Sequence, residues 1–401
     1  MNVGRRIITP SAGAAGAAPV GVFLGLFGEA WLENAIASVE AQNVDRLPVV
    51  AALNRSTPSV LQRLTKWQTE SRHHVTISIN DRNLGPLGSW FRNVDLLDAQ
   101  WVAVLHQDDV YLPRHTEVLS RAALEAPHDV LAVFSAMSGI DEDGQPVGPP
   151  PMDNHGLNMA PTTLTLPAIL RRHPLPTPAG MFRNPGGYVE DLAWYDSGAP
   201  DSEWFARLAC RGRFRVLDEV TVRYRTSVSS ESQSTNWQSR AWQWANSLNR
   251  LIHSDDFARA LENVSLVERN SFAKDLISAI PARYPESPIF DFLTFAAAQR
   301  IAAVWQYDPG PAVDLLANYL AVDPGSAAAR NLAGITGSLA AGPACAAVHT
   351  VSQLLGEPPS RGRLEESGRA AYRRFGHLMP QRARMGAYRL YDRMWAHRGA
   401  R

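Results

Sequence analysis

Trp101-Val-Ala-Val-Leu-His-Gln-Asp-Asp109 is the stretch on which the reading of this chain turns. Its five leading apolar residues form a run too short for most helices and suited to a buried strand. The run passes directly into two adjacent carboxylates, Asp108 and Asp109. Such a pair at the end of a buried strand is costly unless something cationic or hydroxylated meets it. A divalent cation carrying a diphosphate is one natural occupant, because Mg²⁺ and Mn²⁺ take one or two carboxylates and fill their shells with phosphate oxygens and water. Taken alone, the pair reads equally well as a solvated acidic turn, or as the cap of a helix after Pro113.

Upstream of this strand the same alternation repeats. Val20–Phe27 is a short apolar run followed by Trp31–Gln42, in which Leu32, Ile36 and Val39 fall at helical spacing. Leu47–Leu53 is a second apolar run, and Pro58 suits the first turn of the helix that follows it. Val75–Ile79 is a third strand. Strands alternating with helices imply a parallel sheet covered on both faces, with ligands bound beyond the carboxyl ends of the strands. Downstream, Val130–Ser135 reads as a further strand, 202–210 as a helix, and Phe214–Leu217 and Val220–Tyr224 as short strands. The Ser-rich stretch Ser227–Ser234 reads as a domain boundary, and the pattern beyond it is helical, with Ala241, Trp244, Leu248, Leu251 and Ile252 on one face. Around 315–333 the chain vaguely suggests a tetratricopeptide unit, but without a 34-residue repeat an irregular bundle fits better.

Composition narrows the function. The 401 residues carry 39 basic and 39 acidic side chains, a balance that argues against nucleic-acid binding as the main task. Two cysteines, Cys210 and Cys345, are no disulfide framework, so a reducing, cytoplasmic setting is expected. No segment reaches the 18 or more apolar residues of a membrane span.

Two further clusters carry chemistry. Asp201 stands at the start of a helix with Glu203 and Trp204 beside it. A carboxylate there can accept a proton from a reacting hydroxyl, and Asp is equally favoured as a plain N-cap. Asn80-Asp-Arg-Asn-Leu-Gly-Pro-Leu-Gly88 joins a strand to a helix, where small residues and amides can approach a nucleotide; ordinary turn chemistry explains it as well. Its spacing is not that of a phosphate-cradling glycine loop.

Together these elements resemble the family 2 glycosyltransferases of GT-A fold. The resemblance covers about residues 19–232. Leu26–Gln42 is similar to that family's first strand, turn and helix, and Asn83-Leu-Gly85 with Asn93 to its Asn-x-Gly and later Asn. His106-Gln-Asp-Asp109 with Leu112-Pro113 is similar to its Asp-x-Asp region. Asp201-Ser-Glu-Trp-Phe-Ala-Arg207 resembles its acceptor-side motif, and Val222-Arg-Tyr-Arg225 its closing strand. The fold implied is α/β, a Rossmann-like, mostly parallel GT-A domain followed by an α-helical C-terminal domain. The expected divisions are a flexible lead at 1–18, the catalytic domain at 19–232 and the helical domain at 233–401.

The resemblance implies an inverting single displacement, from a nucleoside-diphosphate sugar (UDP, dTDP or GDP) to a hydroxyl of a glycan, lipid-linked glycan or natural product. Asp201 would be the base. Asp109 would hold Mn²⁺ or Mg²⁺, and Asp108 would contact the ribose or share the metal. Phe27, Glu29, Asn54 and Asn83 would line the nucleotide pocket, and Trp204 and Glu203 would border the acceptor. The chain departs from the pattern in several places. Gly28 replaces the usual Asn, Leu53-Asn54 an Asp-Asp pair, His106 the first acid of the Asp-x-Asp region, and Ser227 a metal-binding His.

Two other functions compete. A sugar nucleotidyltransferase would need a basic, Gly-rich loop early in the chain, and Leu26–Trp31 lacks one. A degenerate GT-A domain that binds sugar nucleotides without turnover, its helices serving as an interaction platform, is suggested by the altered positions and opposed by the retained Asp108, Asp109 and Asp201. From Tyr372 onward, Arg373, Arg374, Arg382 and further arginines face one acid, Asp392. Interleaved with aromatics, they could form a basic amphipathic element on an anionic inner membrane, or a packed helix with its arginines in water.

Overall fold

The computed structural model describes residues 5–9, 18–54, 57–147, 162–171, 175–184, 200–226, 237–282 and 289–305. The chain divides into two compact units, Met1–Leu293 and Thr294–Arg401. Of the second unit, 294–305 are described, and 294–304 belong to the helix Ile289–Val304. The tetratricopeptide-like stretch and the Arg-rich terminus fall outside the described residues.

The sheet grows from β2 (Ala18–Leu26), whose residues from Val20 on are all buried. A strand apolar on both faces belongs inside a covered parallel sheet. It pairs in parallel with β3 (Pro48–Leu53) on one side and β5 (Ala99–His106) on the other, and β3 pairs in parallel with β4 (His74–Asn80). The crossovers are α1 (Leu32–Glu40), α2 (Pro58–Glu70) and α3 (Gly85–Asn93). Thr57 caps α2 by accepting from the Val60 N–H, and Pro58 fills the position where a missing N–H costs nothing. Gly85 opens α3 at φ +69°, a conformation that a side chain disfavours.

Beyond β5 come the short strand β6 (Val110–Tyr111), the helix α4 (His115–Leu124), the long strand β7 (Val130–Ile140) and β8 (Pro146–Val147). After these follow β9 (Thr162–Leu164), α5 (Leu166–Arg171), β10 (Gly180–Arg183), α6 (Pro200–Ala209) and β11 (Arg213–Arg225). The helices α7 (Trp237–Ile252), α8 (Asp255–Glu262) and α9 (Arg269–Ala282) complete the first unit. Strand β10 lies antiparallel between β5 and β7, and β11 is parallel to β7. Two reversals restore direction, so β2, β3, β5, β7 and β11 all end at the same edge. The sheet is mixed but mostly parallel, as expected.

Three boundaries differ from the sequence reading. Within the expected flexible lead, Arg5–Ile8 is a strand, β1, antiparallel to β4. Its Arg5 guanidinium grips the Asp95 carboxylate with hydrogen bonds of 2.7 and 2.6 Å, which ties the segment down. The two short strands after α6 are one strand, β11, carried through register shifts between Val216 and Val222. The compact unit does not close at 232 but extends to Leu293. Polar locks explain this: Glu203 on α6 accepts from Arg250 on α7, and Arg211 donates to Asp256 on α8 at 2.8 Å. Among the described residues no helix is long and apolar enough to cross a membrane.

Candidate active site

The shared register brings distant residues to one edge. Gly25 lies opposite His106, Leu26 opposite Leu53, and Ile140 opposite Arg225. Phe27, Asn54, Gln107 and the turn after β7 therefore leave the sheet side by side.

Gln107 builds the floor. Its side-chain oxygen accepts from the N–H groups of Phe27 (2.7 Å) and Gly28 (3.1 Å), and its nitrogen donates to the carbonyls of Gly28 (3.1 Å) and Ala30. One amide thus satisfies the loop after β2 on both sides. That loop ends at Trp31, which takes a left-handed conformation (φ 56°), an uncommon state for a bulky residue and one found at functional sites. On the other side of Gln107 the Asp109 N–H donates to the His106 carbonyl at 3.1 Å, closing a turn.

This turn gathers His106, Asp108 and Asp109, whose ligand atoms all lie within 4.8 Å of one another. Asp109 is buried, Asp108 and His106 half-buried. Burial, and then the Asp108 charge, push the Asp109 carboxyl well above the usual range, against the opposing Arg225. Burial pushes the His106 imidazole down, while Asp108 and Asp201 pull it up. Two carboxylates and an imidazole converging in this way fit a divalent cation, whose charge would relieve the repulsion.

Arg225, at the end of β11, was not singled out from sequence as a site residue, and no local signal marks it. Its N–H donates to Asp109 at 2.9 Å, its Nε to the Asp108 carbonyl at 2.8 Å, and one terminal nitrogen to the carbonyls of Asp141 (2.5 Å) and Glu142 (2.9 Å). The guanidinium lies over the Trp31 ring at 5.0 Å, and the Trp31 indole donates to the same Glu142 carbonyl at 3.0 Å. One arginine therefore fastens the acidic turn, the loop after β2 and the turn after β7 together.

Of the residues singled out from sequence, Asp201 starts α6 half-buried, and its carboxylate acts electrostatically on His106. Chain positions nearly a hundred residues apart therefore lie within electrostatic reach of each other. Phe27 is 38% exposed, unusual for a Phe at a strand end. Glu29 accepts from Thr57 at 3.2 Å and from Ser59, and these hydroxyls hold its carboxyl below the usual range. Asn83 is exposed and caps its own turn, accepting from the Gly85 N–H at 2.9 Å.

Three of the expected site residues are instead engaged within the protein. Trp204 lies in the aromatic core. It is 3% exposed, with ring centroids 4.8 Å from Trp90 and 4.6 Å from Phe182. Glu203 is fully buried and paired with Arg207 at 3.0 Å and with Arg250, so its carboxylate is consumed in tying α6 to α7. Asn54 is buried and spent on the protein itself: it donates to the Gly85 carbonyl at 2.9 Å and accepts from Asn80 (3.0 Å) and the Leu84 N–H (3.2 Å). Asn93 extends that network to Asn80 at 3.2 Å. The amides of the Asn-x-Gly region thus shape the turn.

Residues 26–170 match the family model for glycosyl transferase family 2. Over those residues the chain is similar to glycosyl transferase family 2, and its mixed, mostly parallel sheet with covering helices agrees with a GT-A fold. An uncharacterized glycosyltransferase of Methanocaldococcus jannaschii is 25% identical over 116 residues, which are 29% of this chain and 40% of that relative. The chain thus spans well under half the length of that relative. TarS of S. aureus, solved with UDP-GlcNAc, is 16% identical with a TM-score of 0.45, over 70% of this chain and 88% of that one. The mannosyltransferase PcManGT of Pyrobaculum calidifontis, solved with GDP-Man and Mn²⁺, is 16% identical with a TM-score of 0.47, over 84% and 85%. The glycosyltransferase match begins at the strand end bearing Phe27 and runs through the His106–Asp109 turn to α5.

Proposed function

We propose that this protein transfers a sugar from a nucleoside-diphosphate donor to a hydroxyl acceptor, with inversion at the anomeric carbon. One observation carries the reading. The His106–Asp109 turn gathers three ligand atoms at the edge where the parallel strands end, and Asp201, nearly a hundred residues on, lies close enough to act electrostatically on His106. Asp108 and Asp109 would hold a divalent cation, Mn²⁺ or Mg²⁺, which would supply charge neutralisation for a departing diphosphate. Phe27 offers an exposed ring as a face for the nucleobase. Glu29 and Asn83, on the loops beside it, flank the ribose end.

Asp201 takes the acceptor's proton as the new C–O bond forms. Its Oδ1 accepts from the Ser202 N–H at 2.8 Å, which fixes the carboxylate at the start of α6. Attack from that side, opposite the leaving diphosphate, is a single displacement and inverts the centre. With the Asn54 amide engaged inside the protein, the nucleobase among UDP, dTDP and GDP is read by other groups. The acceptor is a glycan, a lipid-linked glycan or a natural product. The Arg-rich stretch from Tyr372 would serve peripheral membrane contact from the cytoplasmic side.

Donor hydrolysis and transfer, assayed with Mn²⁺ and again with a chelator, test the proposal. Metal-dependent release of the nucleoside diphosphate supports it. Donor binding without any turnover, across acceptors of all three classes, replaces it with a sugar-nucleotide-binding protein that uses its helices as an interaction platform.

A further inference from the structure

We propose that His106 is a direct ligand of the divalent cation, making the centre a site of one imidazole and two carboxylates that favours manganese-type ions over magnesium. The inference rests on the functional reading above and adds a ligand that the two aspartates alone do not provide.

The backbone dictates the arrangement. His106 is the last residue of β5, and Gln107 and Asp108 form the turn that follows. The side chain of Gln107 is fixed on the Phe27–Ala30 side by its hydrogen bonds, so it takes no part in the cluster. The Asp109 N–H to His106 carbonyl bond then folds the fourth residue back on the first. The outcome is three ligand atoms within 4.8 Å of one another. Around an octahedral ion with bonds of about 2.1 Å, neighbouring donors stand roughly 3 Å apart and opposite ones about 4.2 Å, so small side-chain adjustments suffice.

Two further observations point to a bound ion. Among the described residues the His106 imidazole has no hydrogen-bond partner, although it is half-buried among charges. Nearby, the Tyr111 hydroxyl is buried without a partner among the described residues and lies within the field of Asp109. A buried orphan of this kind is what a metal-bound water satisfies. The turn is held by Gln107 and Arg225 before any ion arrives, so binding requires little rearrangement. An imidazole favours transition ions, whereas Mg²⁺ prefers oxygen ligands and retains its waters.

The test is electron spin-echo spectroscopy of Mn²⁺ on the full chain, alone and with UDP or GDP, using protein labelled with ¹⁵N only in histidine. We expect a directly bound nitrogen whose coupling changes with the label and vanishes in His106→Gln. In that variant Mn²⁺ affinity should fall at least about tenfold, since loss of mere outer-shell partners costs about 10–100-fold, while Mg²⁺ affinity falls less. Absence of a histidine nitrogen in the wild type, its persistence in His106→Gln, equal losses for both ions, or no Mn²⁺ binding under any of these conditions overturns the proposal. If UDP or GDP binds and the nitrogen is absent, the ligand assignment fails by itself. If the nitrogen is present and no nucleotide binds, the glycosyltransferase reading fails by itself.

Discussion

The Arg225 main-chain N–H donates to the Asp109 carboxylate across 2.9 Å, joining the end of β11 to the turn after β5. The two adjacent aspartates are consequently unequal. Asp109 is anchored and buried, while Asp108 is half-buried and flanks His106. Asp108→Asn should therefore remove donor turnover and metal affinity with little change in melting temperature. Asp109→Asn, whose amide oxygen can still accept the Arg225 N–H, should remove both as well, whereas Asp109→Ala should also disturb the fold around Arg225. Calorimetric titration with Mn²⁺ beside thermal melts separates the variants. Equal melts for Asp108→Asn and Asp109→Ala would mean that Asp109 has no anchoring role.

Asp201→Asn retains shape and the bond to the Ser202 N–H but removes basicity. Transfer should fall by about 10²–10⁴-fold, with donor affinity and melting temperature unchanged. Transfer at the wild-type rate would show that the base lies elsewhere.

Glu203→Gln should act differently, although it lies only two residues on. Its buried carboxylate balances Arg207 and Arg250. Breaking a buried pair costs about 3–5 kcal/mol; because both arginines are partly exposed, the lower end, roughly 3 kcal/mol, is expected. The readout is a denaturant midpoint shifted downward. An unshifted midpoint with abolished transfer would make Glu203 the base instead.

Trp204→Ala should likewise be a stability variant. Removing a large ring from the Trp90, Phe91 and Phe182 cluster costs about 3–5 kcal/mol. An acceptor KM raised many-fold in a protein of unchanged stability would contradict this placement.

His115 supplies a pH signature. It is buried beneath the Tyr111 ring, with Nδ1 2.8 Å from the Thr221 hydroxyl, and burial pushes its pKa down to about 3. Between its ordinary value near 6.5 and 3, the unfolded chain binds a proton there and the folded chain does not. Stability should thus be full above about pH 6.5 and fall on acidification, with a limiting slope of about 1.4 kcal/mol per pH unit from this group. His115→Gln should flatten that slope in denaturant titrations run from pH 7 to 4. An unchanged slope would place the effect in other groups.

The strands of the fold were legible because Val20–Phe27, Leu47–Leu53 and Trp101–Leu105 are apolar runs with one reading in a covered parallel sheet. The acidic turn and Asp201 were legible as carboxylates at element ends. Trp204 and Glu203 misled because a helix start carries residues on all faces. One sequence does not say which face turns inward, and here both turn toward partners distant in the chain, Trp90 and Arg250. Asn54 misled for a related reason, since an amide beside a pocket can face the ligand or the loop, and its partners Asn80 and Gly85 settle it for the loop. Arg225 was hidden because its role exists only through the parallel pairing of β7 and β11, which brings Ile140 beside it.

The central claim is that the His106–Asp109 turn is a metal-dependent nucleotide site. The most direct measurement is the melting temperature of the full chain with UDP, dTDP and GDP, each with and without Mn²⁺. A ligand at one hundred times its Kd stabilises a fold by about 2.7 kcal/mol, a shift of several degrees. The account predicts such a shift for at least one nucleotide with Mn²⁺, its loss with a chelator, and its loss in Asp108→Asn. No shift with any of the three nucleotides in millimolar Mn²⁺, or a shift that Asp108→Asn leaves intact, would contradict it.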